Sequence, residues 1–231
     1  MYHAIGDLNS REEGAYLYCV SRENFMLQMD WLSRNKKDTL ITFDDGDISN
    51  FDIAYPVLKE LNLKAFFFVS ASLVGKPGYM NWNQLLILKE AGMIIGSHGM
   101  THTILTRLNK VQLHDEIIGS KKIIVDRIGN PVDYFSIAKG HYTLHVIEAL
   151  RKASYKAVFS SDVTGHDEFV KCRIAVRKNW DLNHFKYVID HGLPLKECLI
   201  DKLKNTAKKC LGPNMYHTLR CKALRAKKGT V

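Results

Sequence analysis

Strand-like and helical segments alternate along most of this chain, and that alternation constrains its fold more than any other feature. Runs rich in β-branched and aromatic residues predict five strands, at residues 39–43, 65–70, 93–96, 134–136 and 157–160. Apolar periodicity predicts helices around them, at residues 21–34, 53–61, 83–91, 110–128 and 143–152. Alternating βα units build parallel sheets whose functional sites lie at the carboxyl ends of the strands. The sequence therefore predicts an α/β fold, with any site at those strand ends.

Two adjacent carboxylates stand at the end of the first predicted strand. Asp44 and Asp45 follow Phe43 directly and precede Gly46, a residue type that favours turns. Carboxylates this close repel each other unless they share a proton or bind a cation. Because acidic turns after strands are common, this segment predicts a site only in combination with other ligands.

A pair of histidines follows the third predicted strand. His98 and His102 are four residues apart, a spacing that would place both imidazoles on one helical face and within reach of one metal ion. Two histidines and one carboxylate leave open positions for water and substrate. The zinc helix of proteases differs, because it needs a glutamate where Gly99 stands. Surface or capping histidines are the alternative, but the pair together with the acidic strand end favours a metal site.

The chain resembles the polysaccharide deacetylases, the NodB-homology group of carbohydrate esterases (family 4 type), in two motifs taken together: Thr42-Phe43-Asp44-Asp45-Gly46 and Ser97-His98-x-x-x-His102. Supporting segments follow in the family's order: Met1-Tyr2-His3, residues 65–69, Trp82, residues 94–98 and Arg173-Ile174. The resemblance implies a distorted (β/α) barrel of about seven repeats. The family usually has a short apolar strand leading into Met-Tyr-His, so we expect that strand either to be lost or to lie upstream of Met1.

The resemblance also implies a reaction and the residues that perform it. One divalent metal ion, zinc before cobalt, nickel or manganese, would be held by Asp45, His98 and His102. Asp44 would act as general base on an attacking water, and the products would be acetate and a free amine. The substrate would be an N-acetylated sugar of a cell-surface polysaccharide or its precursor. The residues alone leave Asp44 open as a second metal ligand or a helix cap.

The proton donor for the departing amine is the least defined part of the predicted site. The family's late Leu-x-His motif has no convincing copy, and three histidines remain as candidates: His3, His184 and His166. We predict His3, as acid or as active-site wall, because it ends the presumed first strand on the same rim as Asp44. His184 follows a stretch that resembles a helix start, and His166 lies in a polar loop.

The third family motif is altered in this chain. Residues 135–142 retain Gly140 and Tyr142, but Ala138 stands where the family has proline, and the segment holds no arginine to orient the catalytic carboxylate. We predict Phe135, Gly140 and Tyr142 as substrate-binding residues, with a place in the core as the alternative for the aromatics. The altered motif also leaves open a catalytically impaired glycan-binding module on the same scaffold.

Basic charge is concentrated in the last part of the chain. Residues 195–231 hold ten lysines or arginines and two acidic residues, a net charge of +8, whereas residues 1–194 carry +1 of the total of +9. We therefore predict a catalytic domain over residues 1–194 and a basic helical extension over residues 195–231. Such a helix suits an anionic membrane surface, and a solvated helix packed on the barrel is the alternative. Nucleic-acid binding is not expected, because the tail lacks interleaved aromatics and a recognised binding motif.

The number and spacing of the cysteines bear on the cellular compartment of the protein. The five cysteines form an odd number and have no CxxC spacing, which predicts reduced thiols rather than a disulfide framework or a zinc knuckle. We expect a cytoplasmic protein with peripheral membrane association, an expectation that an upstream leader would change.

Overall fold

The computed structural model describes residues 1–6, 15–35, 38–162 and 168–228. Within them, six parallel strands form one curled sheet in chain order, and helices connect most of the strands. The strands are β1 (Ile41–Phe43), β2 (Ala65–Val69), β3 (Ile94–Ser97), β4 (Tyr134–Ser136), β5 (Ala157–Ser160) and β6 (Val170–Cys172). This parallel α/β half-barrel confirms the predicted fold class. The sequence did not predict β6, because that strand has only three residues and two of them are exposed.

The α-helices of the described residues are α1 (Arg22–Asn35), α2 (Tyr55–Glu60), α3 (Trp82–Glu90), α4 (Lys110–His114), α5 (Ser120–Ile128), α6 (Leu144–Lys152), α7 (Leu182–His191) and α8 (Leu195–Lys228). The helix predicted over residues 110–128 is divided, because a π-helical turn at Asp115–Gly119 joins α4 to α5. A second π-helical turn, Asn50–Ala54, precedes α2. The other helices predicted before residue 153 lie within a few residues of their observed bounds.

Local sequence explains where α3 and α4 begin. Asn81 and Asn109 each accept a hydrogen bond from the backbone N–H three residues on, and the Gln84 and Gln112 side chains each accept one from the N–H of the cap residue. These capping boxes satisfy N–H groups that a helix start leaves unpaired, and each cap stabilises its helix by about 1 kcal/mol. The two helices lie on either side of β3 in the chain.

Aromatic side chains fill the core beneath the end of β1. Phe43 stacks on Phe67 of β2 with ring centroids 4.9 Å apart, and Phe25 of α1 meets Phe43 edge to face. All three side chains are fully buried. Burying a phenylalanine stabilises a fold by roughly 1.5–3 kcal/mol. This packing gives a rigid base to the strand end from which Asp44 and Asp45 project.

The first residues of the chain join the two edges of the sheet, β1 and β6. The N–H of Tyr2 donates to the carbonyl of Thr42 at 2.7 Å, and the amine of Met1 donates to the carbonyl of Ile174 at 3.0 Å. Tyr2 also forms a parallel bridge with Phe43. Towards the amino end of β1, the two edges enclose a cavity of about 330 Å³. The contact brings the residues that follow β6 beside those that follow β1.

The basic extension forms the long helix α8. Gly212 interrupts it, because its φ of 70° and ψ of 158° are not helical. The predicted helical extension is therefore present, and the boundary between residues 194 and 195 stays a prediction. In the described part of the chain, no helix combines the length and the apolar character needed to cross a membrane.

Candidate active site and metal centre

Polar side chains from four strands meet at the carboxyl end of the sheet. Parallel strands place their carboxyl ends together, so residues far apart in the chain become neighbours there. Asp44 and Asp45 follow β1, His98 follows β3, Ser136 ends β4 and Arg173 follows β6. The βα pattern of the sequence predicts a site at this end of the strands.

Asp45, His98 and His102 form a cluster of three potential metal ligands. The Oδ1 atom of Asp45 lies 3.3 Å from Nε2 of His98 and 3.2 Å from Nε2 of His102. One ligand atom from each residue lies within 4.8 Å of the others. Asp45 Oδ1 is buried and has no hydrogen-bond partner within the described residues. A buried carboxylate oxygen without a partner is costly, so the arrangement suits a cation bound between the three side chains.

The hydrogen bond of His98 orients its ring for metal binding. Nδ1 of His98 lies 2.8 Å from the backbone carbonyl oxygen of Ser136, which can only accept. In the neutral ring Nδ1 therefore carries the proton, and Nε2 presents a lone pair towards Asp45. Metal-binding histidines are commonly held by such a second hydrogen bond. A cation between Nε2 and the carboxylate oxygen would attract a lone pair from each atom.

The charge state of Asp45 also suits a metal ligand. Burial raises the pKa of Asp45, but the contacts with the imidazoles of His102 and His98, with a smaller contribution from His3, outweigh burial and hold the pKa well below its usual range. Asp45 is therefore in the carboxylate form, which is the form that binds metal ions.

The segment that carries the two histidines is a loop, so the prediction that they share a helical face is wrong. Residues 98–102 follow β3 without helical structure, and the imidazoles meet with ring centroids 5.0 Å apart because the chain turns back on itself. Gly99 and His102 have φ values of 84° and 60°, and Asp45 has a φ of 73°. Left-handed backbone is costly for residues other than glycine and recurs at functional sites. Two of the three candidate ligands adopt it here.

A buried glutamate holds this loop in place. Glu116, in the π-helical turn between α4 and α5, accepts hydrogen bonds from the N–H groups of Met100 at 2.7 Å and Thr101 at 3.1 Å, and from the Thr101 hydroxyl. A Cβ on Gly99 would lie 2.7 Å from Oε2 of Glu116, so the loop needs glycine at this position. Sequence reasoning missed Glu116, because no local pattern marks a carboxylate whose partners lie 15 and 16 residues away.

Asp44 forms a buried ion pair with Arg173. Nη1 donates to Oδ1 and Nη2 donates to Oδ2, both at 2.8 Å, and the hydroxyl of Ser136 donates to Oδ2 at 3.0 Å. Burial raises the pKa of Asp44, but the positive charge and the hydrogen bonds of Arg173, with a smaller contribution from His98, outweigh burial and lower the pKa to about 2. Asp44 is therefore ionised at neutral pH.

Arg173 changes the interpretation of the altered third motif. Residues 135–142 contain no arginine, as the sequence indicates. The guanidinium that contacts Asp44 comes instead from the end of β6, 129 residues along the chain. The altered motif therefore does not leave Asp44 without a cationic partner.

His3 is the candidate proton donor that lies near the two carboxylates. Its ring is 5.2 Å from that of Tyr18, and its buried Nδ1 has no hydrogen-bond partner in the described part of the chain. Burial lowers the pKa of His3, while the charges of Asp45 and Asp44 oppose that shift. The imidazole is therefore mostly neutral at neutral pH.

The other two candidate donors are placed differently. Nε2 of His184 lies 3.0 Å from Oε1 of Glu197, and its ring packs against Trp180 with centroids 4.9 Å apart. The contact with Glu197 joins α7 to α8. His166 lies outside the described residues.

The three predicted substrate-binding residues have different surroundings. Phe135 is fully buried in β4 and packs edge to face against Tyr155, with centroids 5.2 Å apart. Its assignment to the substrate site is therefore wrong, because the side chain belongs to the core. Gly140 has a φ of 71°, and a Cβ there would clash with Oγ of Ser161, so it is needed for the turn after β4. Tyr142 is half-buried in the same loop and stays a predicted substrate-binding residue.

Comparison with sequence families and curated proteins gives consistent matches. The family model described as polysaccharide deacetylase matches residues 32–158. The protein YxkH of Bacillus subtilis, assigned by name to the polysaccharide deacetylases, is 28% identical over 177 residues, which cover 68% of this chain and 61% of that protein. The peptidoglycan-N-acetylglucosamine deacetylase PgdA of Listeria monocytogenes is 31% identical over 99 residues. That match covers 42% of this chain but only 20% of PgdA.

Solved structures share the fold. The polysaccharide deacetylase BC0361 from Bacillus cereus superposes with a TM-score of 0.72 at 23% identity, covering 81% of this chain and 67% of that one. The deacetylase PplD of Streptococcus pyogenes, solved in complex with acetate, gives a TM-score of 0.73 at 20% identity, covering 84% of this chain and 96% of that one. At these identities the likeness establishes the barrel architecture.

Proposed function

The chain belongs to the polysaccharide deacetylase family, whose model matches more than half of it, and we propose that it removes N-acetyl groups from an N-acetylated saccharide with the help of one divalent cation. One observation carries this proposal: the two adjacent aspartates have different partners. Asp45 faces both histidines of the cluster, whereas Asp44 is held by Arg173. This difference supports a role as metal ligand for Asp45 and a role as general base for Asp44. The sequence alone left the two roles open.

Asp45, His98 and His102 are the residues that would hold the cation. Two imidazoles and one carboxylate suit zinc, and cobalt, nickel or manganese also accept them. A divalent cation supplies Lewis acidity, which polarises an amide carbonyl and makes water more acidic. Three protein ligands leave positions open for water and substrate.

Asp44 has one lone-pair position left to accept a proton. A carboxylate offers about four lone-pair positions, and within the described residues Arg173 and Ser136 occupy three of them by three hydrogen bonds. The remaining position is on Oδ1, and we assign it to the proton of the attacking water. With a pKa of about 2, Asp44 is available as a base at neutral pH but is a weak one. Transfer therefore depends on a water made more acidic than in bulk solvent.

His3 is the group that we propose to protonate the departing nitrogen. Its Nδ1 is buried without a partner in the described residues, and its ring is mostly neutral because burial lowers its pKa. It must therefore gain a proton during the reaction, and the proton taken up by Asp44 is the available source. Passing that proton through His3 to the amine as the carbon–nitrogen bond breaks returns Asp44 to its ionised form and leaves acetate.

The substrate class is supported by the relatives. Proteins from Listeria monocytogenes and Bacillus cereus that match parts of this chain are named as deacetylases of peptidoglycan N-acetylglucosamine. We propose that this chain acts on an N-acetylated sugar within a cell-surface polysaccharide or its precursor.

Acetate release from N-acetylglucosamine oligomers, with and without added zinc or cobalt, tests the proposal. We expect release that requires the metal and disappears in Asp44→Asn, while the matched control Asp52→Asn, an exposed carboxylate on the same segment, retains it. Acetate release from metal-free protein would contradict the proposed need for a cation. Release by Asp44→Asn would contradict the assignment of Asp44 as the base. Oligomer binding without release, in protein that carries metal, would favour a glycan-binding module instead.

A further inference from the structure

Two ion pairs and a histidine–glutamate contact fix the rotation of α8 against the barrel. Arg177 donates from Nη1 to Glu197 at 3.1 Å and from Nη2 to Asp201 at 2.7 Å, and His184 lies 3.0 Å from Glu197. Glu197 and Asp201 are four residues apart and therefore share one face of the helix. That face is turned towards the barrel.

The opposite face of α8 carries exposed leucines. Residues two positions apart on a helix point about 200° apart, so Leu199 and Leu203 lie almost opposite the two acidic anchors. Leu195, Leu199 and Leu203 are 84%, 58% and 69% exposed. Around the interruption at Gly212, Leu211, Met215 and Leu219 are also exposed, at the same spacing of four residues. We call Leu195, Leu199 and Leu203 the outer stripe.

The charge of residues 195–231 indicates which kind of partner the outer stripe binds. Glu197 and Asp201 are the two acidic residues of 195–231, and both are used in holding the helix to the barrel. The rest of the extension contributes ten basic residues, among which Lys196 and Lys202 are exposed beside the stripe. A second copy of this chain would bring two regions of net charge +8 together. Nucleic acid would pair with the basic charge, but its phosphate backbone would not bury a row of aliphatic side chains.

We propose that α8 is a peripheral docking helix for anionic lipid, which inserts the outer stripe at the membrane surface and places its lysines against the headgroups. The ion pairs of Arg177 hold the acidic face away from the lipid. This role is independent of the chemistry at the strand ends, so it can fail while the proposed activity stands, and the reverse.

Vesicle flotation with the full chain tests the proposal. We expect binding to vesicles containing about one third phosphatidylglycerol and little binding to pure phosphatidylcholine. Leu199→Ser/Leu203→Ser should reduce partitioning at least about tenfold, because it removes the apolar part of the contact. Lys196→Glu/Lys202→Glu should reduce it to a similar extent. Leu144→Ser, at an exposed leucine on α6, is the matched control and should bind as the unchanged protein does.

Four results would overturn the proposal. The first is equal binding by the double-serine variant, and the second is equal binding to phosphatidylcholine alone. The third is light scattering that shows a dimer which the double-serine change dissociates, because the stripe would then be a contact between copies. The fourth is tight binding to a DNA duplex that depends on the lysines but not on the leucines. Circular dichroism of each variant confirms that α8 remains folded.

Discussion

Arg173 and Asp44 form a two-point contact, with both nitrogen–oxygen distances 2.8 Å and both side chains buried. The guanidinium fork matches the carboxylate edge and leaves little freedom of rotation. It keeps Asp44 ionised and fixes its orientation, although the two residues follow strands at opposite edges of the sheet.

Replacing Arg173 by lysine should separate positioning from metal binding. Lysine keeps the charge but cannot make the fork, so Asp44 would lose its fixed orientation. We expect kcat to fall about 100-fold, with zinc affinity unchanged within a factor of a few. Arg177→Lys, at an ion-paired arginine that contacts α8, is the matched control. A parallel loss of zinc binding would show that Arg173 acts on the whole site rather than on Asp44.

Removing the charge of Arg173 should destabilise the fold, and neutralising Asp44 should recover part of the loss. Arg173→Met leaves a buried carboxylate without a cation, a change that typically costs about 3–5 kcal/mol. In the double variant Asp44→Asn/Arg173→Met neither charge of the pair remains, so the free energy of unfolding should rise again. Urea denaturation of the two single variants and the double variant measures the coupling. Additive losses would contradict a direct interaction.

Substitutions of the two neighbouring aspartates should have different effects on zinc affinity. We expect Asp45→Asn, His98→Ala and His102→Ala each to weaken zinc binding by orders of magnitude, because each removes one of three ligands. Asp44→Asn should bind zinc nearly as the unchanged protein does. Isothermal titration with zinc measures this, and His114→Ala, an exposed histidine on α4, is the control. Loss of zinc in Asp44→Asn would assign that carboxylate to the metal as well.

Glu116 should act on the metal through the loop that it holds. Glu116→Gln keeps the size of the side chain but points an NH₂ group at one of the N–H donors of the loop. We expect zinc affinity to fall about 10–100-fold, in the range found for partners of metal ligands. Asp115→Asn, an exposed neighbour, should have no effect. If metal-free Glu116→Gln lost its fold, the change would report on stability, so circular dichroism accompanies the titration.

In protein produced as residues 1–231, the amine of Met1 should make stability depend on pH. Burial and, to a lesser extent, the charge of Arg173 lower its pKa from 8.0 to about 5, with Asp44 opposing the shift. Between these values the unfolded chain binds more protons than the folded one, so stability rises with pH across this window. The rise from this group is on the order of 4 kcal/mol. Thermal unfolding of free and N-terminally acetylated protein at pH 5, 6.5 and 8 measures it, and equal slopes would contradict it.

The sequence by itself was sufficient for the parts of the protein that depend on neighbouring residues. The periodicity of the βα units predicted the parallel sheet, since strand and helix patterns repeat within a few residues of chain. The same local information located Asp44 and Asp45 at the end of β1 and His98 and His102 after β3. It also predicted the basic helix at the end of the chain.

Tertiary structure decided the features that depend on how distant segments meet. Closure of the sheet edges brings Arg173 to Asp44 across 129 residues, and Glu116 reaches the histidine loop from a helical turn. The histidines converge through a turn of the loop rather than through a helical face, and Phe135 lies in the core. None of these contacts has a local period or spacing, because each is set by the packing of elements that are far apart in the chain. The different partners of Asp44 and Asp45 arise in the same way: adjacent in sequence, they are distinguished by the other strands that end beside them.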